Sequence, residues 1–374
     1  MKIVYCLPSI FNSGGIERVL ANKSNWLVNH GYDVTILTTE QKNRHPFFYF
    51  DPRIKHIDLG INYWDNNSRP FYKKIYHYFV NKYHHKKKLR NYLFKAKPDV
   101  VVSLYSHEMS YLLNIKDGSV KILECHFTKN RYLKGVRSGL LSLVDRISFC
   151  KTQNLISKFE KFIVLTEADK REWAVKNTIV IPNSLTFTSN SDNTLCSKMI
   201  VSVGRLVYEK GFDRLIDIWA KFRISHPDWF LNIIGDGVLK SQLLKIIVEK
   251  GLHGSIRIIS ATKNIQAIYE EASILLMTSR NEGLGMVLIE AQSCGVPVVA
   301  YNCPHGPSEI INNGIDGFLV EDGDSDEFVR KLSLLADDDI LRLKMGQYSK
   351  INSRRFCEDL IMEKWDSLFK SLKK

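Results

Sequence analysis

The sequence predicts two doubly wound α/β domains, because apolar runs of strand length alternate with amphipathic helical segments on both sides of one polar stretch. The apolar runs are nearly continuous, as in parallel strands that are buried on both faces. The 374 residues are 44 % hydrophobic and 25 % charged, which suits two cores and is too balanced for a disordered or fibrous protein. No run approaches the roughly 18 apolar residues of a membrane-spanning helix.

The first predicted domain covers residues 1–185 and opens with a βαβ unit. Strand Lys2–Leu7 is followed by a loop with Gly14 and Gly15, a helix from Ile16 to His30 and a strand Asp33–Leu37. Further predicted strands are Val100–Leu104, Val120–Leu123, Phe162–Leu165 and Ile179–Ile181.

Residues 186–197 are rich in Ser, Asn and Thr and have no apolar periodicity, which predicts a linker. The second predicted domain, residues 198–350, again alternates strands and helices. Its predicted strands are Met199–Val203, Phe230–Ile234, Ser255–Ile259, Ile274–Met277, Val298–Tyr301 and Phe318–Val320. Its predicted helices are Phe212–Ile224, Val238–Glu249, Asn264–Glu271 and Met286–Ser293. Residues 351–374 form a predicted helix without a partner strand, so we expect it to pack back on the first domain.

Two features of the sequence bear on the compartment. Lys2 leads directly into a strand-like run, which predicts that the chain carries no signal peptide. The seven cysteines include no C-x-x-C pair, so we expect neither a disulfide framework nor a zinc ribbon. Both features favour a reducing cytoplasm.

The net charge of +13 is distributed unevenly. Residues 1–185 carry 30 basic and 15 acidic side chains, whereas residues 186–374 carry 23 and 25. Within the first domain the stretch from Phe71 to Pro98 has nine basic residues and no acid, and its aromatic residues recur at helical spacing. A second basic stretch runs from Lys129 to Lys161.

The basic helix has two interpretations. Basic amphipathic helices with aromatic anchors bind anionic membrane surfaces, and the lysines that would do so here are Lys73, Lys74, Lys82, Lys86, Lys87 and Lys88. In the alternative, the aromatic stripe packs into the core and the lysines are merely solvated. A basic face also suits nucleic acid, but the sequence has no nucleic-acid-binding module, so we expect no such partner.

The loop after strand Met199–Val203 has the residues of a diphosphate site. Gly204 lets the backbone turn, and Arg205 and Lys210 bring two cations to the start of a helix, where free N–H groups also favour negative charge. The alternative is an ordinary turn with two solvated cations.

The loop after strand Ile274–Met277 has the residues of a sugar site. It contains Glu282 and the glycines Gly283 and Gly285, and it opens a helix that carries Glu290 one turn in. The spacing does not require the two carboxylates to face each other, so they suit hydroxyl binding better than acid/base catalysis, one for a sugar and one for a ribose. The alternative is two structural glutamates.

Together these motifs resemble the retaining nucleotide-sugar glycosyltransferases of family 4. The resemblance rests on Ser202-Val203-Gly204-Arg205, Lys210-Gly211, Gly235-Asp236-Gly237, Glu282-Gly283-Leu284-Gly285 with Glu290, Cys303–Ile310, Gly314–Gly317 and, near the N-terminus, Gly14–Arg18. The resemblance extends over almost the whole second half of the chain. The first domain is matched only at its start, at Thr166-Glu167 and at Ile181-Pro182-Asn183.

The resemblance implies a GT-B fold, in which two Rossmann-like domains face each other across a cleft and a helical tail follows. It implies that the donor diphosphate is held by Gly204, Arg205 and Lys210, with Gly15 approaching from the opposite domain. The donor sugar would be held by Glu282 and the backbone of Gly283, Leu284 and Gly285, and the ribose by Glu290. Members of the family also carry a histidine near the reacting sugar. His126 is the candidate here, and His107 competes with it.

The predicted catalytic residues are therefore Glu282, His126, Arg205 and Lys210. We expect transfer of a hexose or N-acetylhexosamine from a nucleotide diphosphate sugar, most simply a UDP-sugar, with retention of configuration. The expected acceptor is a saccharide linked to polyprenyl diphosphate in cell-surface polysaccharide or glycan assembly, on the cytoplasmic face of the membrane. No cofactor and no metal are expected, because the two cations neutralise the diphosphate, and no third glycine completes an NAD fingerprint after Gly235. The alternatives are a nucleotide-sugar-binding protein without turnover and a basic nucleic-acid-binding protein.

Overall fold

The computed structural model describes residues 1–66, 70–129, 150–189 and 193–372, so most of the second basic stretch, Lys129–Lys161, lies outside the described residues. The chain forms two compact units. The first comprises Met1–Pro182 together with Ile361–Lys374, and the second comprises Asn183–Leu360.

The first unit contains a seven-stranded sheet in which all neighbouring strands are parallel. Its strands are β1 (Lys2–Cys6), β2 (Asp33–Thr38), β3 (Lys55–Asp58), β4 (Val100–Ser103), β5 (Val120–Glu124), β6 (Lys161–Val164) and β7 (Thr178–Val180). Their order is β3-β2-β1-β4-β5-β6-β7. The helices are α1 (Gly15–Asn29), α2 (Phe71–Ala96), α3 (Met109–Leu112) and α4 (Glu167–Trp173), and residues 150–156 are also helical.

Both faces of this sheet are buried, as the continuous apolar runs predict. Alternate residues of β1 enter different cores: Ile3 and Tyr5 pack on one side, and Val4 and Cys6 pack on the other. The exception is β3, which the sequence analysis missed. Its four residues are exposed on the edge of the sheet, and they show neither an apolar run nor an alternation.

Helix α2 is exposed along part of its length. Its later half is anchored by His85, Leu89 and Leu93, which are buried. In its first half a stripe of aromatic side chains, which we call the α2 stripe, is between 62 % and 68 % exposed: Tyr72, Tyr76, Phe79 and Tyr83. The interpretation that this stripe packs into the core is therefore wrong.

The second unit contains a six-stranded parallel sheet of order β10-β9-β8-β11-β12-β13. The strands are β8 (Met199–Val203), β9 (Phe230–Ile234), β10 (Ile256–Ile259), β11 (Ile274–Met277), β12 (Val298–Tyr301) and β13 (Gly317–Val320). The helices are α5 (Phe212–Phe222), α6 (Lys240–Glu249), α7 (Ile265–Glu271), α8 (Met286–Ser293), α9 (Pro307–Ile310), α10 (Ser325–Asp337) and α11 (Asp339–Ser353). One core cluster packs Leu215, Trp219 and Phe222 of α5 against Phe328 of α10 and the sheet.

The stretch predicted as a linker belongs to the second unit where it is described. Ser189 Oγ donates to Glu270 on α7 at 2.6 Å, and Asn193 Nδ2 donates to the carbonyl of Ala272 at 2.9 Å. Its polar side chains bind to a helix end, which explains why they show no apolar periodicity.

The last helix, α12 (Glu358–Ser371), begins after a break at Arg354–Cys357. Ile361, Trp365 and Phe369 lie in the same core cluster as β1 of the first unit. Tyr32 on that unit also donates a hydrogen bond of 2.5 Å to Asp366. The C-terminal helix therefore completes one face of the first sheet.

Candidate active site

The two motifs of the second unit meet at the switch point of its sheet. Strands β8 and β11 are neighbours, and the strand order runs in opposite directions from them. Ligands of open α/β sheets bind at the carboxyl ends of the strands at this point. The loop after β8 carries Gly204 to Gly211, and the loop after β11 carries Thr278 to Gly285. The topology therefore brings both predicted motifs to one edge.

Lys210 and Glu282 form the centre of this edge. Lys210 Nζ donates to Glu282 Oε1 at 2.6 Å, and Ser279 Oγ donates to the same oxygen at 2.6 Å. The Lys210 side chain is 22 % exposed and that of Glu282 only 7 %. A Cβ at Gly204 would lie 3.5 Å from the Lys210 side chain. Because an ammonium has three donors, Lys210 can bind a phosphate oxygen while it keeps Glu282.

The turn after β9, which contains Gly235 and Gly237, packs against the loop after β8. A Cβ on Gly235 would lie 1.9 Å from the carbonyl oxygen of Gly204, and one on Gly237 would lie 2.4 Å from that of Leu206. Gly235-Asp236-Gly237 therefore permits close contact between the loops after β8 and β9. This packing accounts for the two glycines without a dinucleotide fingerprint.

Arg280 connects the loop after β11 to the turn that carries Lys210, and the sequence analysis gave it no role. Its guanidinium donates to both carboxylate oxygens of Asp213, at 2.8 and 2.5 Å, and to the carbonyl of Tyr208 at 2.8 Å. It also lies 4.1 Å from the centre of the Tyr208 ring. Its hydrogen bonds lower the pKa of Asp213. This bidentate geometry fixes the turn Tyr208–Lys210.

Glu290 lies on α8 and has partners of its own. Thr186 Oγ1 donates to Oε1 at 3.0 Å, and Tyr269 OH donates to Oε2 at 3.2 Å. Glu282 and Glu290 therefore have different hydrogen-bond partners within the protein. Glu290 already accepts two protein hydroxyls, and its predicted contact with a ribose stays a prediction.

The remaining predicted donor residues of the second unit lie in the loops after β8 and β11. Arg205 is exposed, and its side chain makes no hydrogen bond or ion pair with any described residue. Leu284 is buried. Gly285 caps α8 in the left-handed conformation, at φ 87°, and so presents the free N–H groups of the first helical turn. Gly283 lies in the same loop, half-buried.

In the first unit, Gly14 caps α1 and Gly15 is its first residue. A Cβ on Gly15 would meet no atom within 4 Å, so the space beside it is open. The first turn also carries Glu17, whose carboxylate lies beside Gly14. The contact of Gly15 with a diphosphate stays a prediction.

His126 follows β5 and belongs to a buried charged cluster. Glu124 Oε1 accepts hydrogen bonds from His126 Nε2 at 3.0 Å and from Lys23 Nζ at 2.5 Å. Burial alone would raise the pKa of Glu124, but the charges of Lys23 and His126 and their hydrogen bonds lower it to about 2. His126 Nδ1 and Glu124 Oε2 have no hydrogen-bond partner among the described residues. Such unpartnered buried atoms are rare and call for an explanation.

His107 lies in a different environment. Its ring stacks on Tyr63 with 4.0 Å between the ring centres, and it meets Tyr78 of α2 edge-on. Burial, together with the charge of Lys82, lowers the pKa of His107. His107 thus packs among aromatic rings, whereas His126 is hydrogen-bonded to a carboxylate.

The six lysines of α2 are not equivalent. Lys73, Lys86 and Lys87 are exposed, and Lys74 and Lys82 are half-buried. Lys88 is exposed along its stem, while its Nζ donates to the carbonyl of Leu59 at 2.6 Å. Among the helices in the described part of the chain, none has both the length and the hydropathy to cross a bilayer.

Within the described ranges, no group of three or more His, Cys, Asp or Glu side chains is arranged to hold a metal ion. Arg205 and Lys210 are the two predicted diphosphate-binding cations in the loop after β8.

Sequence reasoning missed Lys23, Glu124 and Arg280, and two of them had a signal. Lys23 falls on the apolar face of α1, three residues after Leu20 and four before Leu27, where a charge is unexpected. Glu124 directly follows the buried apolar pair Ile122-Leu123 and is itself buried. Arg280 had no such signal, since a loop arginine is ordinary.

The chain matches two family descriptions that together span most of it. Residues 13–185 match "Glycosyltransferase Family 4", and residues 190–351 match "Glycosyl transferases group 1".

Three relatives align with nearly the whole chain. An uncharacterised glycosyltransferase of Haemophilus influenzae is 30 % identical, with 98 % of this chain and 99 % of the relative covered. The amylovoran biosynthesis glycosyltransferase of Erwinia amylovora is 30 % identical with the same coverage. A Campylobacter jejuni protein, named as an α-1,4-N-acetyl-D-galactosaminyltransferase for a PP-undecaprenol-linked saccharide, is 24 % identical, with 100 % and 99 % covered.

The fold has close counterparts among solved structures. Staphylococcus aureus TarM, crystallised with UDP and α-GlcNAc-glycerol, superposes with a TM-score of 0.79 at 18 % identity, covering 98 % of this chain and 99 % of that chain. The chain therefore belongs to family 4 of the glycosyltransferases and has the GT-B fold, as the resemblance predicted.

Proposed function

We propose that this glycosyltransferase moves a hexose or N-acetylhexosamine from a UDP-sugar to a lipid-linked saccharide, with retention of configuration. The observation that carries the proposal is the Lys210–Glu282 pair at the switch point of the second sheet, beside Gly204 and the start of α8. A cation and a hydroxyl acceptor one hydrogen bond apart suit a ligand in which a diphosphate is joined directly to a sugar.

Each residue has a defined task in this reaction. Breaking the bond between the anomeric carbon and the phosphate oxygen leaves negative charge on the diphosphate, which Lys210, Arg205 and the N–H groups of α8 stabilise. Glu282 accepts hydrogen bonds from the donor sugar, and Glu290 accepts them from the ribose. The acceptor oxygen forms the new bond on the same face, and its proton passes to the leaving phosphate oxygen. We assign no enzymic nucleophile.

The relatives support the substrate classes. TarM binds UDP, and the Campylobacter jejuni relative is named for a PP-undecaprenol-linked acceptor. The name of the Erwinia amylovora relative places it in polysaccharide biosynthesis. We propose that the present chain acts in cell-surface polysaccharide or glycan assembly and needs no metal, because Arg205 and Lys210 supply the positive charge.

The test of this proposal is direct. The protein is incubated with each of several nucleotide sugars and a polyprenyl-diphosphate-linked acceptor, with and without EDTA, and products are identified by mass and by the anomeric proton coupling. We expect one UDP-sugar to give an elongated lipid with the donor's anomeric configuration, unaffected by EDTA. UDP binding without any product would contradict the proposed reaction and favour a nucleotide-sugar-binding protein.

We further propose that α2 holds the protein on the cytoplasmic face of an anionic membrane. The α2 stripe is exposed, and Lys73, Lys86 and Lys87 are exposed on the same helix. Exposed aromatic rings with flanking cations have the composition of an interfacial helix, and each cation near anionic lipid contributes about 1 kcal/mol. The lipid-linked acceptor would lie in the same membrane.

Vesicle sedimentation tests the membrane proposal. We expect binding to vesicles containing phosphatidylglycerol and not to pure phosphatidylcholine, and we expect Tyr76→Ser/Phe79→Ser to weaken it about tenfold through loss of buried apolar area. Tyr49→Ser is the matched control, since Tyr49 is 73 % exposed and lies outside α2. Equal binding by the double variant and the wild type would place the contact elsewhere.

A further inference from the structure

Lys23 and Glu124 form a buried ion pair in the first unit, and Glu124 also contacts the candidate site residue His126. Lys23 lies on α1 and Glu124 is the last residue of β5. Glu124 Oε1 accepts from both Lys23 Nζ and His126 Nε2. The three side chains are 3 %, 2 % and 5 % exposed in that order, so the whole cluster is withdrawn from solvent.

Packing alone does not require charges at this place. Lys23 Nζ lies 3.9 Å from the Trp365 ring centre and 5.4 Å from that of Tyr5. Cation–π contacts compensate part of the lost hydration, but a buried ion pair is generally no more stable than apolar side chains of similar volume. The pair therefore calls for a role other than stability.

The geometry shows what the pair does to His126. A carboxylate oxygen can only accept, so Nε2 is the donor in this hydrogen bond, and the orientation of the ring is fixed. Nδ1 is then the ring atom left for another group, and it has no partner among the described residues. Glu124 Oε2, on the same cluster, likewise has none there.

We propose that Glu124, held by Lys23, is a positioning residue that orients His126 so that Nδ1 meets a hydroxyl of the reacting sugar. The proposal rests on the proposed function and on the predicted position of His126 beside the reacting sugar. Lys23 also ties α1 to the end of β5, and α1 begins at Gly15. One ion pair thus connects the helix that begins at Gly15 with the strand that precedes His126.

A double-mutant cycle tests this role. We expect His126→Ala to lower kcat about 30-fold and Glu124→Gln about tenfold, while KM for the donor nucleotide sugar changes less than twofold. Because Glu124 acts through His126, Glu124→Gln in the His126→Ala background should lower kcat by no more than twofold further. Asp117→Asn is the matched control: it removes the carboxylate of another buried pair, with Lys121 of β5, and should leave kcat unchanged.

The outcomes distinguish a wrong position of His126 from a wrong role of Glu124. If His126→Ala is fully active, the prediction that His126 lies beside the reacting sugar fails. If His126→Ala is impaired and Glu124→Gln is fully active, or lowers kcat tenfold in both backgrounds, the positioning role is overturned while the proposed function stands. Should Glu124→Gln not fold, Lys23→Met/Glu124→Gln, which leaves no unpaired buried charge, is measured instead with the same expected tenfold loss.

Discussion

Lys210→Ala is expected to lower the rate of sugar transfer by about 10²–10³-fold, because it removes the ammonium group that we propose stabilises the leaving diphosphate. The loss corresponds to about 3–4 kcal/mol of transition-state stabilisation. The side chain is partly exposed, and Ser279 still donates to Glu282 in its absence, so the fold should persist. Initial rates of product formation measure the loss, and circular dichroism checks the fold.

The matched control is Lys221→Ala. Lys221 lies on α5, the helix that follows Lys210, and makes an exposed ion pair of 2.6 Å with Asp326. We expect this variant to retain full activity, since an exposed pair contributes little to stability and lies outside the predicted donor site. Equal losses in both variants would indicate a general effect of removing charge, and an active Lys210→Ala would rule out Lys210 as the diphosphate ligand.

Gly211→Ala is expected to destabilise the second unit by about 3 kcal/mol, which lowers its melting temperature by roughly 6–12 °C. Two effects add up here. Gly211 has a left-handed backbone, at φ 64°, and an added Cβ would lie 2.1 Å from the carbonyl oxygen of Thr278. That carbonyl follows β11, so the methyl group would also push apart the two loops that carry Lys210 and Glu282. Differential scanning calorimetry measures the stability.

Gly251→Ala separates these two effects. Gly251 has nearly the same backbone angle, φ 66°, but a Cβ there meets no atom within 4 Å. We expect this control to cost only the conformational strain, about 1 kcal/mol. If the two variants melt at the same temperature, the close approach between the turn after Lys210 and the end of β11 is not a constraint on the fold.

The sequence predicted the strands of the fold where burial leaves a clear pattern. β8, β9, β11 and β12 have the predicted bounds, because each is a mainly apolar and mainly buried run that ends at a turn. β3 was missed since an exposed edge strand needs no apolar residues. Residues 186–197 were predicted to form a linker, because polar side chains that hydrogen-bond at the end of α7 produce no apolar periodicity in the sequence.

The sequence predicted those residues of the candidate site that belong to a short loop motif. Gly204, Lys210 and Glu282 were found from their loops, and the structure brings them together. The ion pairs that hold the site residues in position were not predictable from the sequence. Arg280 binds Asp213, 67 residues earlier, and Lys23 binds Glu124, 101 residues later, and no spacing rule reveals pairs that only the folded sheet brings into contact.

In the proposed function, the Lys210–Glu282 edge of the second unit binds the nucleotide diphosphate. Isothermal titration calorimetry with UDP, on the wild-type protein and on Lys210→Ala, measures this binding without the acceptor. We expect one UDP bound per wild-type chain and an affinity at least tenfold weaker for the variant, with Lys221→Ala indistinguishable from wild type. Undiminished UDP binding by a folded Lys210→Ala protein would contradict it.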